Sequence, residues 1–159
     1  MSELTEINTD NIWERPGFLI RRLNQIHHAL FYEAFASEVT PLQYGILTAL
    51  RDENGQDQTS LCEALGSDRT TLSGSIEQLS KKGWLKYEPS RQDRRRKIVV
   101  ITLKGKRFLQ ASQQKMHEAQ LKILAPLPPE QQVIFISMMK TLIEGNDHHV
   151  SVPLKYLKS

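Results

Sequence analysis

The sequence predicts a mainly α-helical fold with one small β-hairpin, a winged helix–turn–helix unit set between long amino- and carboxy-terminal helices. Three observations carry this prediction. A short helical stretch, a glycine turn and a second capped helix follow one another across residues 59–83. Directly after them, two short strand-like runs flank a polar loop crowded with arginine. On both sides of that unit lie long stretches with apolar residues every three or four positions.

The elements follow in order. Residues 1–14 are polar apart from Leu4, Ile7, Ile12 and Trp13, and read as an irregular arm. Pro16 suits a first helical turn, where its missing N–H would have had no partner anyway. Leu19, Leu23, Ile26 and Leu30 then recur at helical spacing to about residue 37, and Phe18, Phe31 and Phe35 are expected in the core or at a seam between copies. Thr40 and Pro41 open a second helix with Tyr44, Leu47 and Leu50 inward, and Asn54-Gly55 ends it. A short third helix from about Thr59 turns Leu61 and Leu65 inward and stops at Gly66. Ser67 or Asp68 caps a fourth, whose Leu72, Ile76 and Leu79 share one face, and Gly83 ends it.

Strand-like runs cover residues 84–88 and 98–103, with the arginine loop at 89–96. After Thr102 a long helix runs to about Leu124, where Pro126, Pro128 and Pro129 interrupt the pattern. Pro129 opens a last helix through Val133, Met139 and Leu142 to Gly145. The tail is polar from Asn146, then carries Val152, Leu154, Tyr156 and Leu157.

Charge is unevenly spread. Residues 81–107 hold eleven bases and two acids, a local +9 within a chain of net charge +3, so the remainder is acidic. A basic patch on an otherwise acidic chain focuses its field on one surface and fits a polyanion. Several classes are disfavoured. No apolar run nears the ~20 residues of a membrane span. The first residues do not look like a secretory signal, so a cytoplasmic protein with no membrane partner is expected. The single cysteine, Cys62, allows no intrachain disulfide and reads as a small buried hydrophobe rather than a redox sensor. Neighbours on a helix point about 100° apart, so His27-His28 cannot easily chelate one ion; the tail pair His148-His149 could, but no acidic or thiolate partner has recognisable spacing, so no metal site is expected. With no glycine-rich phosphate loop, nucleophile elbow or zinc-protease helix, neither a cofactor nor an enzymatic activity is expected.

The remaining candidate chemistry is nucleic-acid recognition. The second helix of such a unit enters the major groove, and the hairpin stands beside it as a wing. Ser67, Asp68, Arg69, Thr70 and Ser73 form the start and outward face of that helix. Arg91, Arg94, Arg95 and Arg96 crowd the wing, where arginine suits a narrow minor groove. Arg69 could fork to a guanine edge or hold a phosphate. Asp93 is expected to hold an arginine, Arg95, through a bidentate pair that stiffens the tip. Double-stranded DNA is the expected partner. The rival reading is a winged-helix protein-interaction module without specific DNA binding, against which the arginine-tipped hairpin argues.

Particular residues extend this reading. Ser67-Asp68-Arg69-Thr70-Thr71-Leu72-Ser73, Leu79, Lys82-Gly83-Trp84-Leu85, Asp93-Arg94-Arg95, Val100, Leu103 and Gly105 together resemble the multiple antibiotic resistance regulator (MarR) family. Leu127-Pro128-Pro129-Glu130 is similar to the opening of that family's last helix, so the resemblance spans about residues 16–145. It implies a homodimer joined through the terminal helices, binding pseudo-palindromic operators and often released by small aromatic or phenolic effectors, with repression as the default. The chain then reads as a single unit, residues 1–159. Residues 40–103 would bind DNA, and residues 1–37 and 104–159 would supply dimerisation helices and arms. The effector would lie between the first two helices and the dimer lobe, with Arg22, His27, Phe31 and Tyr44 as candidates. Arg22 and His27 could equally be ordinary interface residues. Gly74 stands where the family often has arginine, Ser90 where it commonly has aspartate, and Thr102-Leu103 reverses the commoner pair.

Overall fold

The computed structural model describes residues 7–155. Leu4, Tyr156 and Leu157, read above as apolar points of the two termini, lie outside the described residues. Six helices and one hairpin follow in chain order: α1 (Pro16–Phe35), α2 (Pro41–Asp52), α3 (Gln58–Leu65), α4 (Arg69–Lys81), β1 (Leu85–Pro89), β2 (Lys97–Ile101), α5 (Leu103–Leu124) and α6 (Pro129–Asn146). Single 3-10 turns at Ile12–Glu14 and Asp147–His149 bracket this series.

The starts of α2, α3, α4 and α5 are fixed by side chains that accept from otherwise unpaired backbone N–H groups, each typically worth about 1 kcal/mol. At α2 the Thr40 hydroxyl accepts from Gln43 N, and the Gln43 side chain accepts from Thr40 N, both at 3.1 Å. Asp57 accepts from Ser60 N at 2.8 Å to start α3, and Asp68, not Ser67, accepts from Thr71 N at 2.9 Å to start α4. The same rule corrects one expected boundary. The Thr102 hydroxyl accepts from Gly105 N at 3.2 Å, so Leu103 begins α5 instead of ending a strand.

The core lies where α2, α3 and α4 meet the hairpin and the first turns of α5. Ile46, Leu47, Leu50, Leu61, Leu72, Ile76, Leu79 and Val99 are fully buried there, joined by Phe31 and Phe35 from α1. Trp84 and Phe108 stack at 4.1 Å between ring centroids, which docks α5 beside the hairpin. Gly105 permits that approach. A Cβ at this position would stand 2.5 Å from the Trp84 carbonyl oxygen.

The antiparallel hairpin pairs Leu85 with Ile101 through Pro89 with Lys97. It is braced at its root. Gln56 and Val99 exchange backbone hydrogen bonds of 3.2 and 2.8 Å, and Asn54 Oδ1 accepts from Ile101 N at 3.0 Å. The tail was read only as polar, then apolar. It returns to the helix–turn–helix, where Val152 packs against the core and Lys155 N donates to the Glu63 carbonyl at 3.1 Å.

The long-helix stripes differ from a closed core. Leu19, Leu23 and Ile26 of α1 remain exposed, and no residue of α6 is buried, with Val133 71% accessible. Among the described residues no helix is long and apolar enough to cross a membrane.

Candidate nucleic-acid interface

Helix α4 leads directly into β1 of the wing, and the two elements touch. Leu72, Ile76 and Leu79 pin the inner face of α4, which leaves Arg69 and Thr70 exposed at its first turn. Ser67 lies half-buried in the preceding turn, and its hydroxyl meets the Asp68 carbonyl at 3.3 Å. The Asp68 carboxylate is occupied by capping, since Oδ2 also accepts from the Thr71 hydroxyl at 2.6 Å. Those hydrogen bonds hold its carboxyl below the usual range, so it stays ionised.

Ser73 departs from the outward placement expected of it. It is half-buried, and its hydroxyl donates to Gln58 Oε1 at 3.3 Å. A side chain one turn further along the helix than Arg69 still turns toward α3.

At the wing, Arg91, Arg94 and Arg95 are exposed, and their guanidinium groups meet no hydrogen-bond or ion-pair partner among the described residues. The tip beneath them is stiffened by backbone contacts. Asp93 Oδ1 accepts from Arg95 N at 3.0 Å, and the Asp93 carbonyl accepts from Arg96 N at 2.9 Å. The bidentate Asp93–Arg95 pair expected from the sequence is therefore replaced by a turn in which Asp93 holds the main chain. An aspartate followed two residues later by a free N–H closes this way readily, which leaves the Arg95 side chain unclaimed. Ser90 does similar work, its hydroxyl accepting from Gln92 N at 3.3 Å.

Arg96 differs from its neighbours. Its guanidinium donates to Asp57 Oδ2 at 3.1 Å, which joins the wing to the cap of α3. The Asp57 carboxyl is held low, first by the Ser60 backbone hydrogen bond and further by the charge of Arg96. Arg96 thus serves the wing root, while the side chains of Arg91, Arg94 and Arg95 stay unpaired among the described residues.

Cys62 is buried on α3, where burial pushes its thiol pKa up. A base lies within electrostatic reach: Arg69, four positions beyond the α3 terminus, pulls the thiol the other way. The stronger burial effect leaves the thiol protonated at neutral pH.

The effector candidates divide into two groups. His27 contacts Phe31 at 6.2 Å between centroids, and Phe31 contacts Tyr44 at 6.4 Å. Phe31 and Tyr44 are buried, and His27 is half-buried. Burial, then the neighbouring His28, lowers the His27 pKa, so the ring is neutral at pH 7. Arg22 stands apart from these rings, exposed on α1, and donates to Gln25 Oε1 at 3.1 Å. The five-residue step from Arg22 to His27 turns them to different sides of the helix. The rings of His148 and His149 lie 3.9 Å apart between centroids, tilted by 41°, and among the described residues no cluster of three or more potential metal ligands occurs.

Sequence reasoning missed Gln58, Tyr87 and Asp57. Only Asp57 had a local signal, an aspartate three residues before Ser60 at a helix start.

Comparison with known proteins agrees with this geometry. Residues 37–96 match the family model described as MarR family. The HTH-type transcriptional repressor NicR of Pseudomonas putida is 27% identical over 139 residues, which cover 87% of this chain and 88% of that protein. The structure of BpsR from Bordetella bronchiseptica, described in work on regulation of its DNA binding by 6-hydroxynicotinic acid, superposes with a TM-score of 0.79. It is 26% identical, covering 83% of this chain and 95% of that one. The PcaV transcriptional regulator of Streptomyces coelicolor is 30% identical across 84% of this chain and 98% of its own, with a TM-score of 0.72. Helix order, wing and these matches converge, and the chain belongs to the MarR family of transcriptional regulators.

Proposed function

We propose that the chain is a homodimeric repressor that binds a pseudo-palindromic DNA operator and is released by a small aromatic carboxylate. The observation that carries DNA binding is the wing tip: three unpaired guanidinium groups beside an exposed recognition-helix start. In this reading residues 40–103 contact DNA. Arg69 and Thr70 face the major groove, and Arg91, Arg94 and Arg95 follow the backbone into the minor groove. Ser67 and Asp68 shape the helix start, Ser73 and Arg96 hold the frame, and residues 1–37 and 104–159 supply the dimer.

Dimerisation is supported by exposed apolar surface. Ile20 and Leu23 of α1, with Val133, Ile134, Met138 and Leu142 of α6, form stripes that a solitary chain leaves in water. A two-fold partner presenting the same stripes would cover both.

Repression and the effector class rest on likeness to NicR, named a repressor, and to BpsR, whose regulation by 6-hydroxynicotinic acid involves an aromatic carboxylate. The aromatic wall of His27, Phe31 and Tyr44 would face such a ligand. Neutral His27 would offer a hydrogen bond, whereas Arg22, on another side of α1, could serve such a ligand only by leaving Gln25. From that wall ring contacts continue from Tyr44 to Phe108 at 6.4 Å and on to Trp84, the residue before β1. A ligand wedged at the first ring would shift the lobes only through its differential affinity for the two arrangements.

The test is a titration of labelled duplex, selected by the protein from a randomised pool, across a salt series and then with aromatic acids. Binding that falls steeply with salt and is relieved by an aromatic carboxylate supports the reading. Salt-insensitive or undetectable duplex binding would favour the protein-interaction alternative, and no release by any aromatic acid at millimolar levels would remove the effector.

A further inference from the structure

The first turn of α3 reaches the wing with two consecutive side chains. Asp57 holds Arg96, just before β2. Gln58 Nε2 donates to the Tyr87 hydroxyl of β1 at 2.9 Å. The other end of the same amide, Oε1, accepts from Ser73 on the recognition helix at 3.3 Å. One side chain therefore links the two elements, α4 and the wing, that would meet DNA. It does so at a useful place, since Tyr87 pairs with Val99 at the middle of the five-pair ladder. A two-stranded ribbon has little rigidity of its own. Gln56 braces this one from the β2 side, and Gln58 supplies the corresponding brace on β1.

We propose that Gln58 is a positioning residue for DNA recognition, fixing the wing relative to the recognition helix through its paired bonds to Tyr87 and Ser73. This rests on the DNA-binding reading above. The orientation of α4 in the major groove and the depth of the wing in the adjacent minor groove must be right together. A link that sets one against the other lowers the ordering cost of binding without touching DNA. Both bonds are partly exposed, so the fold does not depend on them; the effect falls on the relative placement of two otherwise sound elements.

The experiment has a DNA-free arm and a DNA arm. In the free dimer, hydrogen exchange is followed at the wing amides of wild type, Gln58→Ala and Tyr87→Phe. Faster exchange in the wing of both variants, with unchanged melting temperature, is expected. In the DNA arm, affinity for duplex selected by the wild-type protein from a randomised pool is measured for these variants, for Ser73→Ala and for the Gln58→Ala/Tyr87→Phe double variant. Losses of roughly three- to tenfold are expected for the singles. The double variant should bind no more weakly than Gln58→Ala, and the salt slope should stay constant. Additive losses, wild-type affinity for Gln58→Ala, or a slope reduced by about one phosphate contact would overturn the proposal. A shifted preference at one base pair would do so too, because Gln58 would then be reading DNA directly. If wild type enriches no duplex, the DNA-binding reading fails, while unchanged wing exchange in Gln58→Ala still refutes the link by itself.

Discussion

Arg94 and Arg95 extend from a tip whose shape is set by Asp93, Ser90 and the main chain, so removing either guanidinium changes charge and leaves the turn intact. Arg94→Ala and Arg95→Ala should each weaken operator binding by roughly fivefold to a hundredfold at unchanged melting temperature, measured by fluorescence anisotropy. The two variants should behave alike, because Asp93 does not grip Arg95. Asp93→Ala is the change expected to loosen the hairpin. Gly74 makes the opposite kind of case. It sits exposed in the middle of α4, and a Cβ there would meet nothing within 4 Å. Gly74→Ala should therefore raise stability by about 0.5–1 kcal/mol in urea unfolding, the propensity difference between the two residues. Gly74→Arg should strengthen duplex binding, since the side chain would project from the exposed face one turn beyond Thr70.

At the level of elements, most boundaries could be read directly. Thr40, Asp68 and Thr102 are short polar side chains before apolar periodicity, each capping a helix by accepting from the N–H three residues on, whereas a start near Thr59 misses the same cap at Asp57. What stayed hidden depends on partners distant in sequence. Arg96 meets Asp57 across 39 positions, and Gln58 meets Tyr87 across 29. No periodicity encodes such pairs, because they exist only after α3 and the wing have docked. The same holds for the tail on α3. Asp57 offers a test of an element held by one carboxylate. Its folded pKa is depressed, so its contribution is present above the ordinary carboxylate range and is lost as pH falls through the lowered value. Asp57→Ala should cost about 1 kcal/mol at neutral pH. In denaturant melts repeated in acid, where the wild-type carboxyl is itself protonated, the gap between variant and wild type should shrink.

Across the whole molecule, the winged unit has a closed core and the terminal helices do not. A partner related by a two-fold axis would cover α1 and α6 and space the two recognition helices about 34 Å apart, one turn of duplex. Sedimentation velocity at micromolar concentration should report a dimer, and Ile134→Glu, which puts a charge into the exposed α6 stripe, should shift it toward monomer. A monomeric wild type at that concentration would refute the arrangement. Because α6 buries none of its residues within its own chain, its tertiary stability would have to come from another copy. Folding and abundance are then linked by mass action: diluting the protein withdraws the partner, and the melting temperature should rise with total concentration. In a cell the number of copies would set how many sites are occupied and also how much of each molecule is folded. A gradual fall in expression would thus empty the operator faster than simple binding predicts.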